Sequence, residues 1–471
     1  MGFSLFFWLL IPIGFYHFLW EQGWSLTWLY AFIASLYLVA ALVLTLEAVC
    51  MILWWRFPRL RPERGLLQAL LSKKKSIRPR GSMAGQMLLD GPTPKCSVIV
   101  VAYLPNEQEI ILETLTQILQ RLIRPEGGLE LILAYNTPHF LPVEAELWDL
   151  AAQYPELRLL HVQGSHSKAE NLNAALAVVT GEMTCIFDAD HWPTGDALAR
   201  AWAWLRGGNY DVVQGRNIIR NHRKNWLTRW IAVEFDCLYG VSHPARSLLV
   251  DTALFGGSNG YWRTGVLQGL EFCDRMLTED IDATLRGLSH GVRIVHDPEI
   301  ISYELAPVDL KAFWSQRQRW TQGWLEVALK YQFKLLFWQG LDLGQKACWV
   351  IMLLYSSFFH AIAIQIFALT VHHWIWPRDV PQWFLIYNFA VMGLSLLCNH
   401  LQATIANGRS IWHREGWFYT LISPFFFVVK ILIVIVALDS TYRGQRRWVV
   451  TPRHALKAKA KPPTASLSKS R

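Results

Sequence analysis

The chain has 471 residues, of which 52% are hydrophobic and only 17% charged, with 24 Trp and 24 Phe. A soluble chain carries about 25% charged residues, so the composition excludes an ordinary soluble enzyme as well as a disordered or collagen-like chain. The 45 Lys+Arg against 36 Asp+Glu give a formal charge of +9, and beside long apolar segments such an excess marks the cytoplasmic membrane face rather than a nucleic-acid surface.

Two apolar stretches open the chain, Met1 to Trp20 and Gln22 to Leu46, each long enough to cross about 30 Å of hydrocarbon as a helix. The first lacks a basic start and a small-residue cleavage site, so residues 1–55 read as a transmembrane hairpin and not as a cleaved signal. Residues 56–93 form a basic linker with Arg56, Arg59, Arg61, Arg64, Lys73, Lys74, Lys75, Arg78 and Arg80. By the positive-inside rule this linker, and the block after it, are expected in the cytoplasm.

From 94 to 336 the texture alternates between short strands and helices. Cys96 to Tyr103 (CSVIVVAY) reads as a buried strand, followed by Asn106 as N-cap, with Glu109 three residues on, of a helix through Ile111, Leu115, Ile118, Leu119 and Leu122. Further strands are expected at Leu129 to Tyr135, Leu157 to Gln163, Met183 to Ala189, Asp211 to Gly215 and Val292 to His296. The alternation predicts a mostly parallel α/β sheet with helices on both faces, whose ligands sit at the carboxyl ends of the strands.

Within this block, Ser165 to Asn173 (SHSKAENLN) is either an exposed loop with a helix start or a place where Lys168 faces phosphates and Asn171 or Asn173 a hydroxylated ligand. Met183 to Asp190 (MTCIFDAD) ends a strand in Asp188 and Asp190; the pair is a solvated turn or a site for one hard cation, which needs only one or two carboxylates besides water and phosphate oxygens. Phe255 to Arg263 (FGGSNGYWR) is a glycine-rich turn without dinucleotide-fingerprint spacing. Leu277 to Asp282 (LTEDID) opens a helix with Thr278 as natural N-cap, and a carboxylate there suits either the helix dipole or general-base work. Gln316 to Trp320 (QRQRW) is an amphipathic segment before the membrane: an interfacial anchor, or a donor fork at Arg319 and a stacking surface at Trp320. His296 reads as a core histidine ahead of an extra metal ligand. The cysteines Cys50, Cys96, Cys185, Cys237, Cys273, Cys348 and Cys398 show no C-x-x-C or zinc spacing and read as reduced, buried hydrophobes.

Three apolar segments follow over 345–440: Ala347 to Pro377, Val380 to Gly408, and Gly416 to Leu438 with Lys430 inside. Arg409 and Arg414, and the basic tail over 441–471 with Arg443, Arg446, Arg447, Arg453 and Lys457, ask for the same side of the membrane, so parity fails by one crossing. Pro424 and Lys430 therefore predict a last segment that is re-entrant, interfacial or a broken pair.

Taken in order, KAENLN, DAD, TED and QRQRW inside an α/β block framed by membrane helices resemble the membrane-embedded glycosyltransferase family 2 enzymes, the relatives of cellulose and hyaluronan synthases, over roughly Lys95 to Trp324. The resemblance implies an α/β GT-A catalytic domain, Rossmann-like and cytoplasmic, flanked by transmembrane helices. It also implies a nucleotide-sugar donor, Mg²⁺ or Mn²⁺, and inversion at the anomeric carbon. Asp188 and Asp190 match the metal pair, Asp280 with Glu279 beside it the catalytic carboxylates, and Gln316, Arg319 and Trp320 the signature near acceptor and leaving diphosphate. Tyr103, Asn136, Lys168, Asn171 and Asp188 fall on the nucleotide side, and Gly257 and Ser258 on the acceptor side. One departure stands out: where the family commonly carries an Asp pair that holds uridine after the second strand, this chain has Ala134, Tyr135, Asn136, Thr137 and Pro138, leaving Asn136 to meet the uracil edge.

The stretch LAYNTP, KAENLN, DADHWP, FGGSNGYWR, LTEDID and RWTQGW is most similar to bacterial members that include the cyanobacterial β-monoglucosyldiacylglycerol synthases. The leading expectation is transfer of glucose from UDP-glucose to a membrane lipid such as 1,2-diacylglycerol, in a bacterial-type inner, plasma or thylakoid membrane, with no nucleic acid involved. The alternative is a processive β-polysaccharide synthase of the cellulose, hyaluronan or poly-N-acetylglucosamine type, with a growing glycan as acceptor; four or five apolar segments are few for a product channel. A transporter would carry its polar residues inside the spans, and a dead sensor would have lost Asp190, Asp280 or Arg319.

Overall fold

The computed structural model describes residues 10–56, 91–377, 381–406, 413–445 and 452. Residues 1–9 of the first apolar stretch, the linker from Arg59 to Arg80, and Arg446, Arg447, Arg453 and Lys457 of the tail lie outside the described residues.

Two helices come first, α1 (Ile11–Glu21) and α2 (Thr27–Arg56). The central block then runs β1 (Cys96–Tyr103), α3 (Leu104–Glu107), α4 (Ile111–Arg121), β2 (Leu129–Asn136), α5 (Pro142–Gln153), β3 (Leu157–His161), α6 (Lys168–Leu176), β4 (Met183–Asp188), β5 (Trp192–Pro193), α7 (Ala197–Arg206) and β6 (Val212–Ile219). It continues through α8 (Trp226–Cys237), a π turn over Leu238–Ser242, α9 (His243–Val250), β7 (Gly260–Arg263), α10 (Thr264–Leu270), α11 (Glu279–Ser289), β8 (Ile294–Glu304) and α12 (Leu310–Tyr331). The C-terminal part holds α13 (Leu343–Leu353), a π turn over Leu354–Phe358, α14 (Phe359–Ala363), α15 (Gln365–Ile375), α16 (Gln382–Ala406) and α17 (Arg414–Tyr442).

The strands form one mixed sheet in the order β3-β2-β1-β4-β7-β6-β8-β5. β1 is parallel to β2 and β4, β2 to β3, and β6 to β8, while β7 runs antiparallel between β4 and β6. An almost uninterrupted apolar run such as β1 belongs in a parallel sheet covered on both faces, and its residues 96–102 are all buried. One face packs on α4, α5 and α7 through Leu115, Leu147 and Leu198, the other on α6, α11 and α12 through Leu172, Leu285 and Val327. Register sets Tyr103 opposite Asn136 and Val101 opposite Asp188, so the carboxyl ends of β1, β2 and β4 open on one edge, where the connections diverge to either side and leave a crevice.

Four local expectations are corrected. Asn106 lies inside α3 and bonds Glu107, while α4 starts after Ile110 without a side-chain cap. The predicted turn Phe255 to Arg263 is a turn only up to Asn259, whose φ of 54° ends it; Gly260–Arg263 is strand β7. β6 and β8 run on past Gly215 and His296, across a bulge at Gly215/Arg216. Buried polar side chains there, Asn217 and Ser302, break the apolar pattern that marks a strand. Thr278 occupies the N-cap position of α11, but its side chain makes no cap bond and its Oγ1 is buried without a partner.

On the membrane side, α2, α16 and α17 are long and apolar enough to cross a bilayer. The apolar stretch 347–377 is instead a succession of short helical pieces, interrupted where Ser356 Oγ turns back to the carbonyl of Leu353 and Ser357 Oγ donates to that of Trp324. The last segment is neither broken nor paired. α17 is one helix with Pro424 inside it, and Lys430 is accommodated because its Nζ lies 2.7 Å from Oε1 of Glu234 on α8.

Glu234 is also 2.6 Å from Nη2 of Arg317 on α12, and these cations hold its carboxyl below the usual range against the opposing effect of burial. Trp230 stacks on Phe426 at 3.6 Å and 16°, so α8, α12 and α17 form one packed seam between sheet and membrane helices. Removing a carboxylate shared by two cations leaves both uncompensated, so Glu234→Ala is expected to cost about 3–5 kcal/mol. Lys430→Met, which keeps the Arg317 pair, should cost clearly less, as read by thermal unfolding of the detergent-solubilised protein.

Candidate active site

A cavity of about 950 Å³ opens at the carboxyl ends of β1 and β4. Asp188 is the last residue of β4 and one third exposed; its backbone N–H donates to Ser258 Oγ at 3.0 Å, which fixes the strand end against the glycine-rich turn. Asp190, two residues on, is buried, and its Oδ2 accepts the N–H of Leu305 at 2.9 Å. Both line the cavity.

Ser167 caps α6 by accepting the N–H of Glu170, which starts the helix at Lys168 and sends its side chain across the crevice. Lys168 Nζ lies 2.6 Å from Asp188 Oδ1 and 3.7 Å from Glu279 Oε1, and donates to the carbonyl of Gly257 at 2.8 Å. Burial disfavours its charge, but Asp188, Glu279 and Asp280 outweigh that and raise its pKa. Glu279 and Asp280 open α11, where the helix N-terminus favours negative charge.

Asp280 departs from ordinary carboxylate behaviour. Loss of hydration and the neighbouring Glu279 push its carboxyl up to about 7, against the pull of Lys168, the Ile281 N–H and Arg319. Arg319 reaches in from α12, with Nη1 3.5 Å from the Leu277 carbonyl and Nε buried without a partner. Gln316, one turn before it, is buried with Oε1 unpartnered, and Trp320 packs under the Arg317 guanidinium at 4.5 Å. Gln316, Arg319 and Trp320 all line the cavity.

Of the residues expected on the nucleotide side, Tyr103 and Asn171 line the cavity, whereas Asn136 does not. Asn136 donates to the Ser165 carbonyl at 2.9 Å and accepts from Asn171 Nδ2 at 2.8 Å. Its amide is therefore engaged, and the open acceptor is Asn171 Oδ1, buried and unpartnered. Asn173, the other Asn considered, instead ties α6 to Phe272 through both ends of its amide. Of the residues expected on the acceptor side, Gly257 has φ +82° and presents its carbonyl to Lys168, while Ser258 is buried with its oxygen on the Asp188 N–H. His296 is a core residue: its Nε2 meets the Tyr239 carbonyl at 3.0 Å and burial pushes it down to about 3.

The cavity also draws on residues that the motifs do not mark. Gln214 shapes the glycine-rich turn by accepting from Gly256 N–H and donating to the Ser258 carbonyl. Glu107 accepts the Tyr103 N–H at 2.8 Å, and His191 bridges Ser302 and Glu304 behind Asp190. Glu47 and Arg246 line its membrane end; Glu47 had a sequence signal, being a lone charge in an otherwise apolar run.

Asp188, Asp190, Glu279 and Asp280 face Lys168 and Arg319, so carboxylates outnumber cations. That surplus fits a divalent ion with Asp188 and Asp190 as its protein ligands. Among the described residues no group of three His, Cys, Asp or Glu is placed to hold a metal, so an ion on Asp188 and Asp190 would have to complete its shell on water and substrate oxygens.

Comparison with known proteins now bears on this site. A family model described as glycosyl transferase family 2 matches residues 97–257, and one described as glycosyl transferase family group 2 matches residues 184–396. The chain belongs to glycosyltransferase family 2. It is 24% identical to the probable glycosyltransferase YdaM of Bacillus subtilis, over 77% of this chain and 87% of that one. It is also 24% identical to the β-monoglucosyldiacylglycerol synthase of Synechocystis, over 76% and 75%. The match to the cellulose synthase 1 catalytic subunit of Komagataeibacter xylinus, at 26%, covers 59% of this chain but only 37% of that one. Among solved structures, the mannosyltransferase PcManGT from Pyrobaculum calidifontis, determined with GDP-Man and Mn²⁺, aligns with TM-score 0.53 at 19% identity over 88% of this chain and all of that one, which establishes a shared GT-A-like fold for this family 2 transferase.

A Cβ at Gly257 would lie 2.8 Å from Asp280 Oδ2 and force a residue into φ +82°. Displacing a reacting group by about 1 Å can cost about 10²-fold in rate. Gly257→Ala is therefore expected to lower kcat by about that factor and to cost about 1–2 kcal/mol of stability from the left-handed backbone; a rate within threefold of wild type would contradict the placement of Asp280.

Proposed function

We propose that this family 2 transferase is an inverting, metal-dependent membrane enzyme that moves glucose from UDP-glucose to a lipid acceptor such as 1,2-diacylglycerol, giving a β-glycosyl lipid. The observation that carries this reading is the cavity itself. It is lined at one end by Asp188, Asp280 and Arg319, and at the other by residues of α2, α13, α16 and α17 such as Leu44, Ile351, Gln402 and Ile433. Its volume of about 950 Å³ is at the upper end for a small-molecule site, and its apolar end offers a lateral route from the bilayer. The Synechocystis relative's name supports the lipid choice, and the basic linker supports a cytoplasmic catalytic domain.

In this mechanism Asp280 takes the proton of the acceptor hydroxyl as its oxygen attacks the sugar C1 from the face opposite the diphosphate. Inversion follows from that single displacement. Glu279 keeps Asp280 basic, and Gly257 and Ser258 form the wall along which the acceptor approaches. Lys168 and Arg319 offset charge developing on the diphosphate. Tyr103 and Asn171, with Asn136 behind, bound the nucleoside pocket, and Gln316 and Trp320 the sugar and acceptor. Asp188 and Asp190 would hold a divalent ion, Mg²⁺ or Mn²⁺, which when bound would supply Lewis-acid neutralisation of the leaving group.

A positioned base is worth about 10²- to 10⁴-fold, so Asp280→Asn is expected to lose that much transfer while retaining nucleotide binding by calorimetry. The base works deprotonated, so kcat/KM should fall as pH drops below about 7, and this limb should vanish in Asp280→Asn. Membranes carrying the protein, given labelled UDP-glucose, UDP-galactose or UDP-N-acetylglucosamine with and without EDTA, should put glucose label into chloroform-soluble product only without chelator. Label confined to a hydrolysable polymer would establish the polysaccharide alternative, and transfer unaffected by EDTA would remove the metal role of Asp188 and Asp190.

A further inference from the structure

At the membrane end of the cavity, Glu47 interrupts the apolar helix α2 and is almost fully buried. Its Oε1 lies 2.8 Å from Arg246 Nε on α9, and its Oε2 accepts from Ser242 Oγ at 2.6 Å and from Gln402 Nε2 on α16 at 3.2 Å. All four residues line the same cavity as Asp280. Three elements thus converge on one carboxylate in otherwise apolar surroundings.

Helix packing alone does not account for the cluster. A buried ion pair generally holds helices no better than well-packed apolar side chains of the same size. Nor is its donor capacity used up. Arg246 Nη1 rests on the thioether of Met352 at 3.0 Å, a weak acceptor, and Nη2 has no acceptor among the described residues, although the side chain is 23% exposed. Nη2 is not among the buried unpartnered atoms, so it faces the open cavity, where a ligand oxygen could accept from it in place of water. Because Glu47 already balances the Arg246 charge, the complementary ligand is uncharged.

We infer that Arg246, oriented by Glu47 with Ser242 and Gln402 behind it, forms a second acceptor subsite that takes a neutral oxygen of the acceptor, remote from the hydroxyl that reacts at Asp280. This inference rests on the reading of the cavity as the acceptor site. The oxygen is an ester carbonyl if the acceptor is a diacylglycerol and a sugar hydroxyl if it is a glycan; the recognition chemistry is shared.

Arg246→Lys keeps a cation for Glu47 and removes the planar Nη2 donor. The test measures equilibrium binding of radiolabelled dioleoylglycerol and, separately, of a β-1,4-linked gluco-oligosaccharide to the full-length protein in nanodiscs. Losing one hydrogen bond from a charged donor corresponds to about tenfold in affinity. The expected result is that wild type binds the lipid, that Arg246→Lys binds it about tenfold more weakly with the affinity for UDP unchanged, and that the dialkyl ether analogue, lacking ester carbonyls, binds wild type as weakly as the diester binds the variant. The ether comparison needs no variant and decides the matter if Arg246→Lys fails to fold. If wild type binds the oligosaccharide alone and Arg246→Lys weakens that binding, the lipid acceptor falls and the subsite stands. Binding of neither ligand, binding indifferent to Arg246→Lys, or equal binding of ether and ester lipid overturns the subsite.

Discussion

Everything at the site depends on one ammonium group. β4 and α11 bring Asp188, Glu279 and Asp280 to the same side of the cavity, an arrangement that like-charge repulsion would spread apart. Lys168 prevents this by lying 2.6 Å from Asp188 and 3.7 Å from Glu279 while donating to the Gly257 carbonyl. It therefore ties α6, β4, the glycine-rich turn and α11 at one point. Lys168 is 15% exposed, so its interactions are poorly screened and its partners' positions are fixed rather than averaged. Burial first, and the Glu279 charge second, leave Asp280 holding its proton more tightly than an ordinary aspartate.

The second constraint is that the same helix serves both halves of the molecule. In α12, Arg317 and Arg319 are two positions apart, about 200° around a helix, and so face different ways. Arg319 turns toward Leu277 and the Asp280 carboxylate, while Arg317 turns toward Glu234, which in turn holds Lys430 of the last membrane helix. Gln318 reaches Ser440 on the same helix. The last apolar helix is thereby tied, through Glu234 and Gln318, to the helix that carries Gln316, Arg319 and Trp320.

The sequence shows these features unevenly, for physical reasons. β1, β2 and β4 were legible because fully buried parallel strands are apolar throughout, and Asp188 and Asp190 because a carboxylate pair at such a strand end is conspicuous. The outer halves of β6 and β8 were not, since Asn217 and Ser302 are buried polar residues that bond Glu304 and His191. Lys430 misled in the opposite sense: alone it argues for a broken span, and only the partner Glu234, nearly 200 positions earlier, makes it part of a continuous helix. Likewise Asn136 looks free to read a base until Asn171, from a different element, occupies its oxygen. Pair interactions between distant positions leave no mark in local pattern.

Enclosure by membrane helices and the chemistry proposed for Asp280 have a common origin. Water is the rival nucleophile at the sugar carbon, and apolar walls from α2, α13 and α17 lower its access. The same loss of hydration destabilises the Asp280 carboxylate and moves it to about 7, nearer the working pH, where a general base is most effective. The proposed donor is water-soluble and needs an aqueous mouth at the Asp188 end, so on the proposed reading the drying belongs to the other end of the cavity, where the walls of α2, α13 and α17 would admit a lipid without adding water beside Asp280.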